Sequence, residues 1–537
     1  MNEAQKKSWM PLMIIIGSMM MMYITSFGVN VLIGSIVQDL KTSVANVQFV
    51  IVSASLIAGS LMVTAGKMGD KFGKKKIFVA GVLLYTIGLT TVIFSPNITI
   101  FTVAWGLIWP SGMVMVIPTS IALIIYFYEG SQRAAAFGIY GAVLAAISAL
   151  APVLVGFLAN QFGWRVALSI SPIVGVLTFL AALRLPETSK DSSVKIDLVS
   201  VVLSVLGFGL FLITTTMAGQ YGWWAEKRPF MIGENALALG GFSIVPVAYL
   251  LSFTLLAAFA IRGVKIRKSG GSPLLDVGIL KNKTFTLGMF IGALLFLVTA
   301  GALFGISVFL QTAAQFSALD TALTLLPYSA AYAVASFATP GLAAKIAPKW
   351  IMAIGAVVTI VMLQVIGTAI DTSMTTTTIL IEMLVLGVGM GVIMGQVTTV
   401  TMSLVAPEDS GQASGLSETL KEIIGQGFAI ALAGSVLFGA VYHSMTKSYA
   451  ELEGVTLSEA QQTEIIVELE DTFAEINAED EAKWVSQLPE KTRDAYDSII
   501  KNAAEDGLKN TLFVMNLCMA LGLLMILLLP SKGPEAN

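Results

Sequence analysis

Glu418, Lys421 and Glu422 stand three and four positions apart near the start of an otherwise apolar run, which puts all three on one helical face. Two carboxylates and an ammonium in that pattern suit either an interfacial ion-pair network or a proton-coupling group. An ionisable side chain inside a bilayer costs about 2.5–3.5 kcal/mol on insertion scales, so those that persist are functional candidates. Two further carboxylates fall in apolar runs of the same half of the chain. Glu382 lies a few residues into its run and precedes Gly387, Gly391 and Gly395, whose four-residue spacing suits close helix contact, and it is a proton-carrier candidate. Asp320 opens another run, where a helix N-cap explains it and proton transfer is the second reading. With one His (His443) and one Cys (Cys518), the chain has no sequence basis for a disulfide framework or a Cys/His metal centre. No nucleophile, base and orienting group recur together, so an enzyme is not expected.

Softer chemistry is spread through other apolar runs. Met19 to Met22 and Tyr23, then Trp105 and Trp109, then Gln311 and Gln315, offer polarisable or amphipathic surfaces to apolar cargo. Four consecutive methionines point all round a helix, so only part of that set can face a cavity.

These residues need long apolar elements to hold them. Of 537 residues, 56% are hydrophobic and 12% charged, against roughly 45–50% and about 25% in a soluble domain, more apolar surface than a soluble fold can bury. Fourteen runs are long enough to span a bilayer, from 11–37 at one end to 511–529 at the other. Lysine and arginine concentrate in alternate connections, Lys67 to Lys76 after the second run and Arg262 to Lys283 after the eighth being the densest. That bias places both termini in the cytoplasm of a cell-membrane protein. Residues 444–508 hold sixteen acidic and five basic side chains, which puts −11 of local charge outside the cell while the remainder carries +8. Apolar residues recur there at helical spacing around 457–476 and 489–501, predicting an extracellular helical hairpin that is either a solvated feature or an attractor for cations.

One connection has a recognisable form. Gly66-Lys67-Met68-Gly69-Asp70-Lys71-Phe72-Gly73-Lys74-Lys75-Lys76 sets three glycines and one carboxylate among five lysines between the second and third runs. It resembles the signature loop of the major facilitator superfamily, which implies that Gly66, Gly69, Asp70, Lys71, Gly73, Lys74 and Lys75 form a conformational latch. The fourteen runs, the stretch 405–416 and Ser317 to Leu323 before Pro327 are similar to the fourteen-helix drug:proton antiporters, the quaternary-ammonium and EmrB-type exporters. The resemblance implies an all-α major facilitator fold of 6 + 2 + 6 membrane helices. It divides the chain into an N-terminal bundle (1–190), two inserted helices (191–283), a C-terminal bundle (284–443 and 509–537) and the acidic outer loop (444–508).

In the fifth run Pro152 and Gly156 keep only part of the exporters' glycine-rich packing motif. The usual charges are missing elsewhere. Aligned on Asn30-Val31, the position of the exporters' first-helix Asp is Thr25; aligned on Pro118, the position of their fourth-helix Arg is Gly106, with Trp109 and Pro110 replacing a Gln and a Gly. Met22, Tyr23, Thr25, Trp105, Trp109, Gln311 and Gln315 are therefore the expected cavity residues. The expected activity is export of small amphipathic or apolar molecules by alternating access, driven by protons, with no cofactor, no nucleic-acid partner and a monomeric chain among membrane lipids. A lipid-like cargo, an uncoupled facilitator, or a sensor that has lost transport are the alternatives.

Overall fold

The computed structural model describes residues 8–188, 190, 196–232, 235–237, 239–271, 273–275, 277–342, 346–402, 410–475 and 483–530. The chain is helical almost throughout because a backbone in hydrocarbon must satisfy its own N–H and C=O groups. In order the helices are α1 (Met10–Gly28, continued by a short helix Ile33–Asp39), α2 (Val44–Phe72), α3 (Lys74–Ile93), α4 (Ile98–Phe127), α5 (Gly130–Phe162), α6 (Trp164–Ala182), α7 (Leu198–Tyr221) and α8 (Ile244–Lys268). There follow α9 (Lys283–Thr312), α10 (Ala318–Leu342), α11 (Pro348–Ala369), α12 (Leu380–Met402) and α13, which runs through Ser410–Glu422, Ile423–Phe428 and Ala429–Glu453. The last two are α14 (Glu459–Glu475) and α15 (Glu490–Leu527). Among the described residues eleven helices are long and apolar enough to cross a membrane, while α1, α2 and α5 carry shorter apolar stretches. Every apolar run of the sequence falls on a helix.

The lysine-rich turn between α2 and α3 shows how such helices are joined. Gly73 ends α2 and opens α3 at φ +101°, ψ 128°, a conformation that a β-carbon disfavours. The Lys75 amide donates to Thr188 Oγ1 at 3.2 Å and the Lys75 ammonium pairs with Glu187 at 3.1 Å, just beyond α6. Hydrogen bonding from Lys75 holds the exposed Glu187 carboxyl below its usual pKa. Lys67 donates to the Pro273 carbonyl in the connection after α8. The expected latch is thus tied to two neighbouring connections through Lys67 and Lys75, while the side chain of Asp70 lies outside the described residues. Lys71 is partly exposed beside the Phe72 ring, and Gly69 packs against Thr119. Gly66 is less demanding, since a β-carbon there would meet only Pro118 Cβ at 3.8 Å. A Gly73→Ala protein is expected to lose about 1–3 kcal/mol, the cost of a disallowed backbone region. Its thermal midpoint in detergent should fall while that of Gly66→Ala stays at the wild-type value.

At the same end α7 and α8 are pinned together. Asp197 caps α7 by accepting from the Ser200 amide at 3.3 Å, and both its oxygens receive Arg262 of α8 at 2.6 and 2.7 Å. That hydrogen-bonded guanidinium holds the Asp197 carboxyl well below the usual carboxylate range.

The acidic segment differs from its sequence expectation in one respect. Its first helix, α14, matches the apolar spacing, but no break separates the second from the final span: α15 continues for 38 residues. Gly507 lies in that continuous helix and packs against Leu437 and Val441, so the terminal span and the hairpin arm are one rod. Met445, Leu469, Ile499 and Ala503 form a small separate core under the hairpin. Its acidic face is also partly neutralised. Glu470 receives Lys227 at 3.2 Å and Arg228 at 3.1 Å, and Asp471 receives Arg228 at 2.7 Å, which docks α14 on the connection between α7 and α8. Burial works against the Arg228 charge, yet the two carboxylates raise its pKa further.

Candidate functional site

A cavity of about 370 Å³ lies between the N- and C-terminal helices, walled by α1, α2, α4, α9, α10, α12 and α13. Its two faces are aromatic. On one, Trp105 and Trp109 of α4 stack with ring centroids 5.0 Å apart; on the other, Tyr328 and Tyr332 of α10 stack at 5.9 Å. Four-residue spacing puts each pair on one helical face, and a π-helical turn at Ala104–Ile108 contains Trp105 and ends just before Trp109. Tyr23, Phe296, Phe337, Met113 and Met394 complete an adaptable apolar lining.

The ionisable group in that lining is Glu422. It ends the first segment of α13 immediately before a second π-helical turn, Ile423–Phe428. Ser55 of α2 lines the cavity beside it. Its two companions are engaged with each other: Lys421, buried, donates to Glu418 at 2.7 Å, with its ammonium 5.6 Å from the Phe296 ring. Among the described residues no cation pairs with Glu422, so the triad holds one carboxylate more than its single ammonium can pair.

Three of the seven expected cavity residues are there: Tyr23, Trp105 and Trp109. Met22 is packed in the core. Thr25 turns toward α6, where its hydroxyl lies 2.9 Å from Ser171 Oγ and 2.9 Å from the Met21 carbonyl. Gln311 instead bridges the helices at the end opposite the lysine-rich turn, accepting from the Gly34 amide at 2.8 Å. Gln315 sits at φ +56° in the turn after α9, donating to the Thr312 carbonyl at 2.6 Å. Gly106, at the position of the exporters' arginine, packs so closely on α2 that a β-carbon would lie 3.1 Å from Ser53 Cβ. An arginine does not fit there without separating the helices.

The carboxylates also divide. Asp320 is the third residue of a reciprocal cap, receiving Ser317 Oγ at 2.6 Å while its own amide donates to Ser317 Oγ at 3.1 Å. Glu382 occupies the first turn of α12, half-buried, and is not among the lining residues. Glu418 and Lys421 form the ion pair next to the cavity. Glu422 shares its helical face with that pair, so spacing alone does not separate it from an ion-pair network. Its signal in the sequence is that one ammonium cannot neutralise two carboxylates.

Pro152 and Gly156 lie in α5. A β-carbon on Gly156 would meet the Ala318 carbonyl oxygen at 2.7 Å and Ala322 Cβ at 2.9 Å, so α5 and α10 touch backbone to backbone. With the Gly34–Gln311 bond, this contact joins the two halves at the end opposite the lysine-rich turn.

Comparisons with known proteins bear on the family and the fold. The family model described as Major Facilitator Superfamily matches residues 15–430. A probable actinorhodin transporter of Streptomyces coelicolor is 25% identical over 86% of this chain and 79% of its own length. The multidrug efflux pump LfrA of Mycolicibacterium smegmatis is 26% identical over 87% of each chain. In structure, a bacterial homolog of the human lysosomal transporter Spinster, in an inward-facing and unoccupied conformation, superposes at a TM-score of 0.62 over 98% of both chains with 15% identity. A predominantly helical, multi-pass architecture, an aromatic cavity between two groups of helices and a family match over most of its length make this chain a member of the Major Facilitator Superfamily of membrane transporters.

Proposed function

We propose that the protein exports small amphipathic or apolar molecules in exchange for protons, by alternating access, and that Glu422 carries the proton. The observation that carries this reading is a carboxylate without a cation partner in the wall of an aromatic cavity between the two halves. In a low-dielectric wall such a group binds a proton when the cavity is dry and releases it when the cavity floods. Two relatives, one named as a multidrug efflux pump and one as a probable actinorhodin transporter, support export as the direction.

The same reading has fourteen membrane crossings grouped 6 + 2 + 6, both termini in the cytoplasm of a cell-membrane protein, a monomer, and residues 444–508 outside. In that orientation the Gly156–Ala318 and Gly34–Gln311 contacts seal the outer end, an inward-facing state. The lysine-rich loop then lies at the inner end, where it can re-form its contacts as the halves rock.

The test uses purified protein in liposomes, with ethidium outside and an imposed pH gradient acid inside. Proton exit should drive ethidium inward in the fraction of molecules inserted outside-in, faster than in protein-free liposomes, and a protonophore should abolish the excess. Ethidium flux equal with and without the gradient would refute proton coupling; flux equal to empty liposomes would refute export of this class.

A further inference from the structure

Two of the polar atoms in the cavity wall lack what buried polar atoms normally have. Trp109 Nε1 and the Tyr328 hydroxyl are both buried, in residues 5% and 4% exposed, and neither has a hydrogen-bond partner. Tyr85 beside the indole and Thr299 beside the phenol stand outside hydrogen-bonding geometry. Leaving such a group unsatisfied costs about 1–3 kcal/mol. The nearby Thr299 and Ser336 hydroxyls donate to the Leu295 and Gly391 carbonyls at 2.8 and 3.2 Å, and neither accepts from the indole or the phenol. The unused donors thus come one from each half of the molecule, each mounted on one of the two aromatic stacks.

We infer that Trp109 and Tyr328 are specificity-determining residues that select planar aromatic cargo bearing hydrogen-bond acceptors, such as ring carbonyls, over plain hydrocarbons of the same shape. This deepens the exporter reading and rests on it. Indole N–H can only donate, and a phenol hydroxyl donates readily, so the pair favours acceptors over further donors. A planar ring entering between the stacks gains contact area whatever its substituents. Discrimination then comes from the donors, because a site built to hydrogen bond penalises an analogue that leaves its groups unpaired. Since the donors sit on opposite halves, an acceptor-bearing cargo also links the two halves across the cavity.

The experiment compares anthraquinone, with two ring carbonyls, and anthracene, with none, as radiolabelled probes on purified full-length protein in nanodiscs, with empty nanodiscs subtracted. Wild type should bind anthraquinone at least about tenfold more tightly than anthracene. Tyr328→Phe keeps the ring and removes the hydroxyl; Trp109→Phe keeps an aromatic face and removes the N–H. Each should cut the ratio at least threefold, and the double variant should bring it near one, whereas a purely structural role would weaken both probes alike and leave the ratio unchanged. Saturable binding of both probes without discrimination in wild type, or a ratio untouched by both substitutions, overturns this inference and leaves export standing. Saturable binding of neither probe overturns the inference and removes this cavity as the cargo site.

Discussion

Glu422→Gln protein is expected to bind a neutral aromatic probe within about twofold of wild type, yet to lose at least tenfold of its gradient-driven ethidium flux in liposomes. Glutamine keeps the shape of the side chain, so the cavity should persist. What it loses is a group that changes charge. With a single carrier, each unit of pH gradient contributes about 1.4 kcal/mol, enough for a tenfold cargo gradient; without the carrier that drive is absent. The other carboxylates supply the controls. Asp320→Asn should cost about 1 kcal/mol of stability through its cap and leave coupling alone. Glu382→Gln should change neither, because Glu382 stands at the end of α12 away from the cavity. Glu418→Gln leaves the buried Lys421 ammonium without its partner, so its effect should appear as lowered stability. A Glu422→Gln protein that still concentrates ethidium against its gradient, in proportion to the imposed pH difference, would remove Glu422 from the mechanism.

The fold was legible because hydrocarbon leaves a chain few options. Apolar runs of about twenty residues must be helices, and the glycines and lysines between α2 and α3 mark a tight turn in contact with polar surroundings. The interior was less legible, for a physical reason. Nearly every side chain in a membrane helix is apolar or small, so sequence spacing does not say which face meets lipid, which meets a neighbour and which meets the cavity. Thr25 and Trp109 illustrate the difference. Thr25 aligns with the position of a family carboxylate but bonds to α6, while Trp109 aligns with a glutamine and faces the cavity. Both π-helical turns were invisible as well, although one contains Trp105 and the other directly follows Glu422. Glu422 itself was visible as a charge but not as an unpaired one, since pairing depends on which carboxylate the Lys421 side chain reaches.

The second large effect belongs to Gly156. In a Gly156→Leu protein the first added carbon already falls 2.7 Å from the Ala318 carbonyl oxygen, inside any allowed contact, and three more carbons follow it. Neither partner can yield easily. Ala318 lies in the first turn of α10, which the Ser317–Asp320 cap fixes from both directions. The α5 backbone, for its part, is held by Val155 packing against Gly28 of α1. The cheapest relief is to separate α5 from α10, which opens the end of the cavity that these helices seal. Overpacking of this kind costs about 1–3 kcal/mol, and charged entirely to the closed state it shifts the equilibrium roughly 5- to 150-fold toward the open one. Transport requires both states, so flux should fall at least tenfold while the protein still folds, because the open state relieves the clash. Spin labels on Gln38 and Thr312, exposed residues flanking that end, should report the change in a Cys518→Ala background as a longer distance than in the wild-type sequence at Gly156. Gly156→Ala should fall between the two, since it sets the same first carbon against the Ala318 oxygen and adds nothing beyond it. Unchanged distances and unchanged flux in Gly156→Leu would mean that the α5–α10 contact is packing alone, whereas longer distances with full flux would mean that closing this end is not a step of the cycle.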